Sequence, residues 1–297
     1  MQQPSPARGP LVWRDMDQKA LDDAYNQAAH APNMDLILSR IATASETARR
    51  ILGAPHRLAY GSSEDERLDI YRAPTSAPAP INLFVHGGAW LRSSAAQTAF
   101  TAEAIVGAGA HAVLIDFVNA GQTGGDLMPL AEQVARAIAW TWRNAESFGG
   151  DRSRFYVSAH SSGAHLAACA LSRGWRAENL PANFCKGALL VGGMYDLAPV
   201  RLSSRSAYIK FTDDMEEALS PQRHLEGVTA PLVLACGTGE TPEFLRQSRE
   251  FFAALKVGGK NAELIVAEGY NHFELFETMG NPYGIVGRAR LQQMTLA

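Results

Sequence analysis

The chain has 297 residues, of which 46% are hydrophobic and 19% are charged, and its net charge is −3. A chain of this length and composition can bury a substantial core, which excludes an intrinsically disordered protein. It has no basic stripe or run of Lys and Arg, so a nucleic-acid or membrane-surface role lacks support. We expect a small-molecule partner, and the sequence leaves a homo-oligomer open.

The cysteine pattern and the first residues bear on the compartment. The three cysteines, Cys169, Cys185 and Cys236, are widely spaced and form no CxxC pair, which is typical of reduced core thiols and not of a disulfide framework or zinc site. The start, MQQPSPARGP, lacks the apolar core of a signal peptide, and no window approaches the ~18 apolar residues of a membrane span. We therefore expect a cytoplasmic protein that neither spans nor binds a membrane.

The N-terminal part divides into three predicted segments. Residues 1–12 are Pro-rich and predicted to be loose. From residue 17 to about 51, apolar residues recur at helical spacing, so residues 1–55 are assigned as a helical N-terminal lead-in. Two short strand-like stretches follow at 56–60 and 68–71, separated by the polar turn GSSEDE, and they predict an antiparallel hairpin.

From residue 81 onward, buried strand-like runs alternate with helical stretches. The predicted strands are 81–85, 112–117, 155–159, 187–192, 231–237 and 262–268. The predicted helices are 97–107, 126–144, 162–172, 242–256 and 283–294. This alternation predicts one α/β domain over 1–297, with a mostly parallel central sheet flanked by helices. Residues 196–225 break the rhythm and are predicted to form a small cap insertion over the sheet's carboxyl edge, where open α/β folds bind ligands.

The stretch AHSSG, residues 159–163, lies between a predicted strand and a predicted helix. A serine at such a sharp turn, with small residues two before and two after it, is a nucleophile elbow, usually G-x-S-x-G. Only Ser161 has small residues at both positions, with Ala159 replacing the first glycine, so we predict that it is the nucleophile. Ser162 is predicted to donate its backbone N–H to an oxyanion. The alternative for an isolated serine here is a helix N-cap.

The stretch HGGAW, residues 86–90, follows the strand at 81–85. Such a loop can turn backbone N–H groups toward the oxyanion that develops in acyl transfer, because glycine leaves no side chain in the way. We predict donors at Gly87, Gly88 and Ala89. His86 is predicted to hold the loop by hydrogen bonds.

The catalytic base is predicted from chain position among eight histidines. His272 follows the last predicted strand, where this type of fold supplies its base. His160 and His165 flank the elbow, but a turn residue and a helix residue five positions apart do not share one face, so a metal site is not expected. They are predicted to pack or to make polar contacts around the turn.

The acid is predicted to follow the strand at 231–237, where Glu240 is the first carboxylate. Two competitors stay open. Glu243 lies on the opening turn of the next helix, where the helix dipole explains it. Asp196 follows the strand at 187–192, from which some folds of this type draw their acid. The order serine, acid, histidine is that of α/β-hydrolases.

These motifs resemble the α/β-hydrolase superfamily and, within it, the branch of arylformamidase (kynurenine formamidase)-like hydrolases and related esterases. The resemblance covers most of the chain through YNQAAH, HGGAW, AHSSGAHLA, GGMYDLAPV, LSPQRHL, GETPEFLRQSREF and NHFEL. It implies a serine hydrolase with Ser161, Glu240 and His272, and no metal or organic cofactor. The sequence departs from the family at Ala159, at Ala89, where a large aromatic residue is common, and at VNAGQTGGDL after residue 117, which predicts an altered acyl pocket.

The predicted function is cleavage of an amide or ester of a small aromatic substrate through an acyl-enzyme, as in arylformamidases. A carboxylesterase for short acyl or aryl esters is the first alternative. A catalytically silent ligand-binding hydrolase fold is the second, although such folds normally lack a triad member. Trp90, Tyr195 and Phe273 are predicted to line an aromatic-accepting pocket, with ordinary core packing as the alternative.

Overall fold

The computed structural model describes residues 9–175 and 179–297. These begin with a short antiparallel pair, β1 (Leu11–Trp13) and β2 (Met16–Asp17). The prediction that residues 1–12 are loose is therefore wrong for 11 and 12, because Trp13 packs against the core with Arg246 over its ring and ties the strand down. Residues 1–8 lie outside the described part.

Two helices precede the main sheet, in the region where the sequence predicts a helical lead-in. Helix α1 (Gln18–Ala24) begins at Asp17, whose carboxylate accepts the amide of Ala20. Helix α2 (Met34–Leu52) packs through Ile37 and Ile41. Between the helices, residues 25–33 cross the molecule and include a turn of 3₁₀ helix.

The main sheet has eight strands in the order β10-β9-β8-β7-β5-β6-β4-β3. Strand β4 runs antiparallel to β3 and β6, and the other neighbouring strands are parallel, which confirms the predicted mostly parallel sheet. The strands are β3 (His56–Ala59), β4 (Arg67–Tyr71), β5 (Ala79–Val85), β6 (His111–Ile115), β7 (Gly150–His160), β8 (Cys185–Val191), β9 (Leu232–Gly237) and β10 (Ala262–Ala267).

Helices cover both faces of this sheet, so each face has its own apolar core. Side chains alternate along each strand: in β5, Leu83 and Val85 belong to one core and Phe84 to the other. The remaining helices are α3 (Phe100–Gly107), α4 (Met128–Arg143), α5 (Ser162–Ser172), α6 (Ala198–Leu202), α7 (Asp213–Ala218), α8 (Pro242–Val257), α9 (His272–Glu277) and α10 (Ile285–Gln293). Within the described ranges, no helix has the length and apolar character needed to cross a membrane.

Residues 196–225 contain α6, α7 and short 3₁₀ turns, and they pack beside the start of α5. The carbonyl of Leu219 lies 2.8 Å from Nε2 of His165, and the guanidinium of Arg205 lies 5.5 Å from the centre of the Trp90 ring. This segment therefore contacts both α5 and the loop after β5. Its role as a cap stays a prediction.

Candidate active site

Ser161 lies at the turn between β7 and α5 with φ 57° and ψ −127°, a conformation that is costly for a residue with a side chain. Its amide donates to the carbonyl of Val191 in β8 at 2.8 Å, which ties the turn to the sheet. Helix α5 starts so close to β5 that a Cβ on Gly163 would lie 2.2 Å from the carbonyl oxygen of His86. Glycine at position 163 is thus required by close backbone approach.

Three side chains from distant parts of the chain form a hydrogen-bonded line. Oγ of Ser161 lies 2.9 Å from Nε2 of His272, and Nδ1 of His272 lies 2.8 Å from Oε2 of Glu240. All three residues are buried. Since a carboxylate only accepts, Nδ1 carries the hydrogen, and the lone pair of Nε2 faces the serine. This arrangement can transfer the serine proton to the imidazole.

A glycine after β8 makes room for this line, and the sequence prediction missed it. Gly192 has φ +56°, and a Cβ there would lie 2.8 Å from Nδ1 of His272 and 3.1 Å from Oε2 of Glu240. The sequence signal is a glycine at the carboxyl end of a parallel strand beside the elbow strand. It shows only that the chain turns there.

The two competing carboxylates are occupied elsewhere. Asp196 accepts from the amide of Ala198 and from Arg223. Glu243 accepts both guanidinium contacts of Arg246 at 2.6 and 2.7 Å. Among the described residues neither bonds to His272, so the geometry selects Glu240 as the carboxylate next to the imidazole.

The loop after β5 passes directly over the serine. A Cβ on Gly87 would lie 2.9 Å from Cβ of Ser161. Gly88 and Ala89 both have positive φ, 107° and 56°, so Ala89 holds a conformation in which a non-glycine residue is strained. No hydrogen bond found among residues 9–175 and 179–297 uses the amides of 87–89, and the amide of Ser162 opens α5, where a helix offers no internal partner. Among the described residues, these four N–H groups therefore have no hydrogen-bond partner, and that of Gly87 belongs to a residue in close contact with Ser161.

Side chains from the elbow hold this loop in place. Oγ of Ser162 accepts the amide of Trp90 at 3.1 Å, and Nδ1 of His165 accepts the indole N–H of Trp90 at 3.3 Å. Nδ1 of His86 bonds to the carbonyl of Gly87 at 2.9 Å, as predicted for a loop-holding residue. Ser162, His165 and His86 thus hold the loop in its strained conformation through these three hydrogen bonds.

The histidines at the elbow are buried and carry no charge at neutral pH. The ring of His160 stacks on Phe276 at 4.0 Å and lies 4.5 Å from the ring of His272. Burial lowers the pKa of His160 well below its usual value and that of His165 to about 4. His160 thus packs against aromatic rings, and His165 makes polar contacts with Trp90 and Leu219, in line with the predicted packing or polar contacts.

Of the three residues predicted to line an aromatic pocket, Tyr195 is corrected. It has no exposed surface, and its ring stacks on Phe251 at 4.3 Å, so it is a core residue. Trp90 is 2% exposed, and its indole is engaged by His165, although the residue lines a cavity. Phe273 is partly exposed, with its ring edge-on to His272 at 5.4 Å.

A cavity of about 250 Å³ lies next to the loop after β5. Its lining includes Gly87 and Trp90 from the loop, and Val118, Asn119 and Gln122 from the atypical segment after β6. Charged side chains also face it, which are Arg57, Glu64, Asp65, Arg92 and Asp116. The segment that the sequence predicts to approach the site therefore borders a cavity with a polar lining.

The sequence prediction also missed Gln27. Its Nε2 donates to Oε2 of Glu240 at 3.0 Å, and its Oε1 accepts the amide of Thr241 at 3.2 Å. Composition and periodicity describe this part of the chain only as a helical lead-in. The one available signal is that Gln27 belongs to YNQAAH, a stretch that carries part of the family resemblance.

A family model matches the first part of the site. Residues 68–181 match the model described as BD-FAE. The matched range contains the loop at 86–90 and the turn at Ser161. It ends before Glu240 and His272.

Curated proteins and solved structures match over more of the chain. The kynurenine formamidase of Danio rerio is 29% identical over 279 residues, which cover 90% of this chain and 93% of that protein. The isoprenylcysteine alpha-carbonyl methylesterase ICME of Arabidopsis thaliana is 26% identical over 242 residues, which cover 74% of this chain and 56% of that protein. Among solved structures, the esterase LipW from Mycobacterium marinum superposes with a TM-score of 0.70 at 19% identity, over 92% of this chain and 90% of that one.

Proposed function

Because this chain is an α/β-hydrolase of the arylformamidase and esterase branch, a hydrolase for amide or ester substrates, we propose that it works as a serine hydrolase. In this proposal Ser161 attacks the substrate carbonyl while His272 takes its proton. Glu240 keeps the imidazole in the reactive tautomer and stabilises its charged form.

The observation that carries the proposal is the buried line from Ser161 through His272 to Glu240, with links of 2.9 and 2.8 Å. A serine, histidine and carboxylate at these distances meet the geometric requirement for an activated nucleophile. The strained backbone of Ser161 adds support, because strain of this kind is retained where the surrounding structure imposes it.

The tetrahedral intermediate has a proposed acceptor in the amides of Gly87, Gly88, Ala89 and Ser162. Gly87 approaches Ser161 closely, Ser162 follows it in the chain, and among the described residues none of the four amides donates a hydrogen bond, which supports this assignment. Fixed donors of this type stabilise the developing oxyanion, and loss of one typically costs ~10²–10³-fold in kcat.

The reaction then proceeds in two halves that balance without a further reactant except water. His272 gives its proton to the leaving amine or alcohol, and the acyl group stays on Oγ of Ser161. Water, activated by His272, attacks this ester, and the serine recovers its proton as the acid product leaves. Each step uses groups of the chain, so the proposal needs no metal or organic cofactor.

We propose an aryl-formamide or a related small amide as the first substrate class. The similarity to the kynurenine formamidase of Danio rerio over 90% of the chain supports this class. A carboxylesterase for short acyl or aryl esters is the second candidate, which the similarity to the Arabidopsis methylesterase favours. A cytoplasmic location stays a prediction.

The test compares one N-formyl aromatic amine with its matched formate ester. We expect hydrolysis of both, with kcat falling by at least ~10³-fold in Ser161→Ala. Equal rates for the parent and Ser161→Ala would reject the serine mechanism and leave a silent binding fold. Brisk ester cleavage without amide cleavage would reject the formamidase class and leave the esterase.

The acid is tested with a matched pair of carboxylate variants. We expect Glu240→Gln to lose ~10²–10⁴-fold in kcat, because the imidazole loses its charged partner, and Asp196→Asn to stay near the parent. The reverse result would move the acid to Asp196.

A further inference from the structure

Glu240 is held at both oxygens. Its Oε1 accepts the amide of Gly237 at 3.0 Å, and its Oε2 accepts from both His272 at 2.8 Å and Gln27 at 3.0 Å. The carboxylate is 3% exposed, so water does not compete for these positions. Because the terminal torsion of a glutamate is soft, the position of Oε2 depends on the donors around it.

Gln27 can present only one orientation to this oxygen. Its Oε1 accepts the amide of Thr241 at 3.2 Å, so its NH₂ group must face Glu240. A flipped amide would place two donors together at Thr241 and two acceptors together at Glu240. The side chain is 7% exposed, which leaves no room for water to repair either contact.

Side chains on both sides of Gln27 bond to the helix that follows the acid and to the start of the helix that carries the base. Tyr25 donates its hydroxyl to Glu243 at the start of α8, at 2.9 Å. Asn33 donates to Glu274 at 2.6 Å and accepts from Asn271 at 2.8 Å, at the start of α9. Gln27 therefore lies on a segment that is bonded at one end to Glu243, near Glu240, and at the other end to Asn271 and Glu274, near His272.

We propose that Gln27 is a positioning residue, which holds Oε2 of Glu240 on Nδ1 of His272 while the imidazole becomes charged. This inference rests on the proposed serine-hydrolase function. Gln27 bonds neither to Ser161 nor to the free amides of the loop in the described structure, so it acts through Glu240.

The first experiment compares Gln27→Met with Gln18→Met. Methionine keeps the volume of the side chain but removes both hydrogen bonds. Gln18 is a matched control. Its side chain, like that of Gln27, makes two hydrogen bonds, to Asp22 and to the carbonyl of Leu202, but Gln18 is exposed and bonds to none of the proposed catalytic residues in the described structure. We expect Gln27→Met to lower kcat ~10- to 100-fold with KM within ~2-fold, and Gln18→Met to match the parent. Equal kcat in the two variants would overturn the proposal.

A double-mutant cycle separates positioning from a general effect on folding. In the Glu240→Ala background Gln27 has no carboxylate to hold, so Gln27→Met should change the residual kcat by less than ~2-fold. An equal loss in both backgrounds would mean that Gln27 supports the structure in general, and the proposal would be wrong.

A measurement that needs no turnover distinguishes this proposal from the proposed function. We expect the proton between Nδ1 of His272 and Oε2 of Glu240, which lie 2.8 Å apart, to give a ¹H resonance far downfield in the free protein. We expect it to shift or broaden in Gln27→Met and to stay in place in Gln18→Met. An unchanged resonance in Gln27→Met would overturn the positioning role. Failure of the parent to hydrolyse any substrate would count against the function alone.

Discussion

The candidate site has two halves that are built differently. The serine half, residues 85–93 and 159–165, consists of turns at the ends of the neighbouring strands β5 and β7. Its accuracy comes from backbone contact, such as the glycine at 163 against the carbonyl of His86. The acid–base half, Glu240 and His272, is held by side chains that come from residues 25–33.

The difference shows where each half is vulnerable. In the serine half a single added carbon forces backbone atoms apart, and a folded protein interior has little capacity to absorb that. In the acid–base half several hydrogen bonds together fix the positions of Glu240 and His272. Removal of one of these bonds makes the positions less well defined but causes no steric clash. We therefore expect substitutions of the supporting residues, as distinct from Ser161, His272 and Glu240 themselves, to have larger effects in the serine half.

Among substitutions that leave Ser161, His272 and Glu240 in place, the largest expected effect is that of Gly163→Ala. Its Cβ would lie 2.2 Å from the carbonyl oxygen of His86 and 2.4 Å from that of Val85, so the loop with the proposed oxyanion donors must move. We expect kcat/KM to fall by ~10³-fold, measured on the preferred ester. Gly107→Ala, in α3, is the matched control. Among the described residues no neighbouring atom lies within 4 Å of the position of its new Cβ, so kcat/KM should not change. Activity within ~3-fold of the parent in Gly163→Ala would contradict the argument.

Gly192→Ala tests whether the acid–base half also has a backbone requirement. The new Cβ would push on His272 at 2.8 Å, and we expect kcat to fall by ~10²-fold with little change in KM. Gly259 also has positive φ, +67°, but among the described residues no neighbouring atom lies within 4 Å of the position that a Cβ would take there. Gly259→Ala therefore reports the cost of the backbone conformation alone, and a similar loss of kcat there would remove the role of the clash.

The serine half should also be sensitive to acid in its stability. The pKa of His165 is about 4 in the folded chain because of burial, and about 6.5 when unfolded. Between these pH values the unfolded chain binds more protons than the folded chain. The contribution of His165 to the free energy of unfolding is therefore fully present above pH ~6.5 and is lost as the pH falls toward ~4. We expect this residue to contribute a loss of about 2 kcal/mol between pH 7.5 and 5.

Urea unfolding at these two pH values provides the measurement. In His165→Leu the dependence should be shallower by that amount. Burial also lowers the pKa of His86, His111 and His160, so the variant keeps part of the acid sensitivity. An unchanged pH dependence in the variant would show that His165 takes up its proton without cost.

The smallest expected effect is in the acid–base half, from Asn33→Ala. This change removes the bonds to Asn271 and Glu274 at the start of α9 and leaves the bonds of Glu240 intact. We expect kcat to fall ~3- to 10-fold, because one end of the base's helix is freed. Asn144→Ala, which removes a bond to the carbonyl of Trp140 at the end of α4, is the control. A loss above ~100-fold would mean that the two halves do not differ as argued.

The turn and the loop of the serine half could be located from the sequence because their signals are local. The stretch 159–163 and the loop 86–90 are contiguous, and each requires small residues because its backbone turns tightly against a neighbouring segment. The strands that carry them were placed within a few residues, since their buried apolar runs differ clearly from the helices around them.

The acid–base half was harder to predict because its contacts are not local. Chain order favours Glu240 but leaves Asp196 open, and only the hydrogen-bond partners of the two carboxylates separate them. The contact between Gln27 and Glu240 joins residues that are 213 positions apart in the sequence, and no local sequence pattern predicts such a pair. Tyr195 is predicted to line a pocket, whereas its ring stacks on Phe251 in the core, which was the alternative.

The crossing of residues 25–33 also sets an order of events during synthesis. These residues leave the ribosome more than 200 positions ahead of Glu240 and Asn271, their partners in the folded chain. At ~5–20 residues per second, that separation corresponds to roughly 10–40 s. The N-terminal segment must therefore wait without its partners while the sheet grows, and a nascent chain stalled before residue 272 carries its serine half but lacks the groups to activate it.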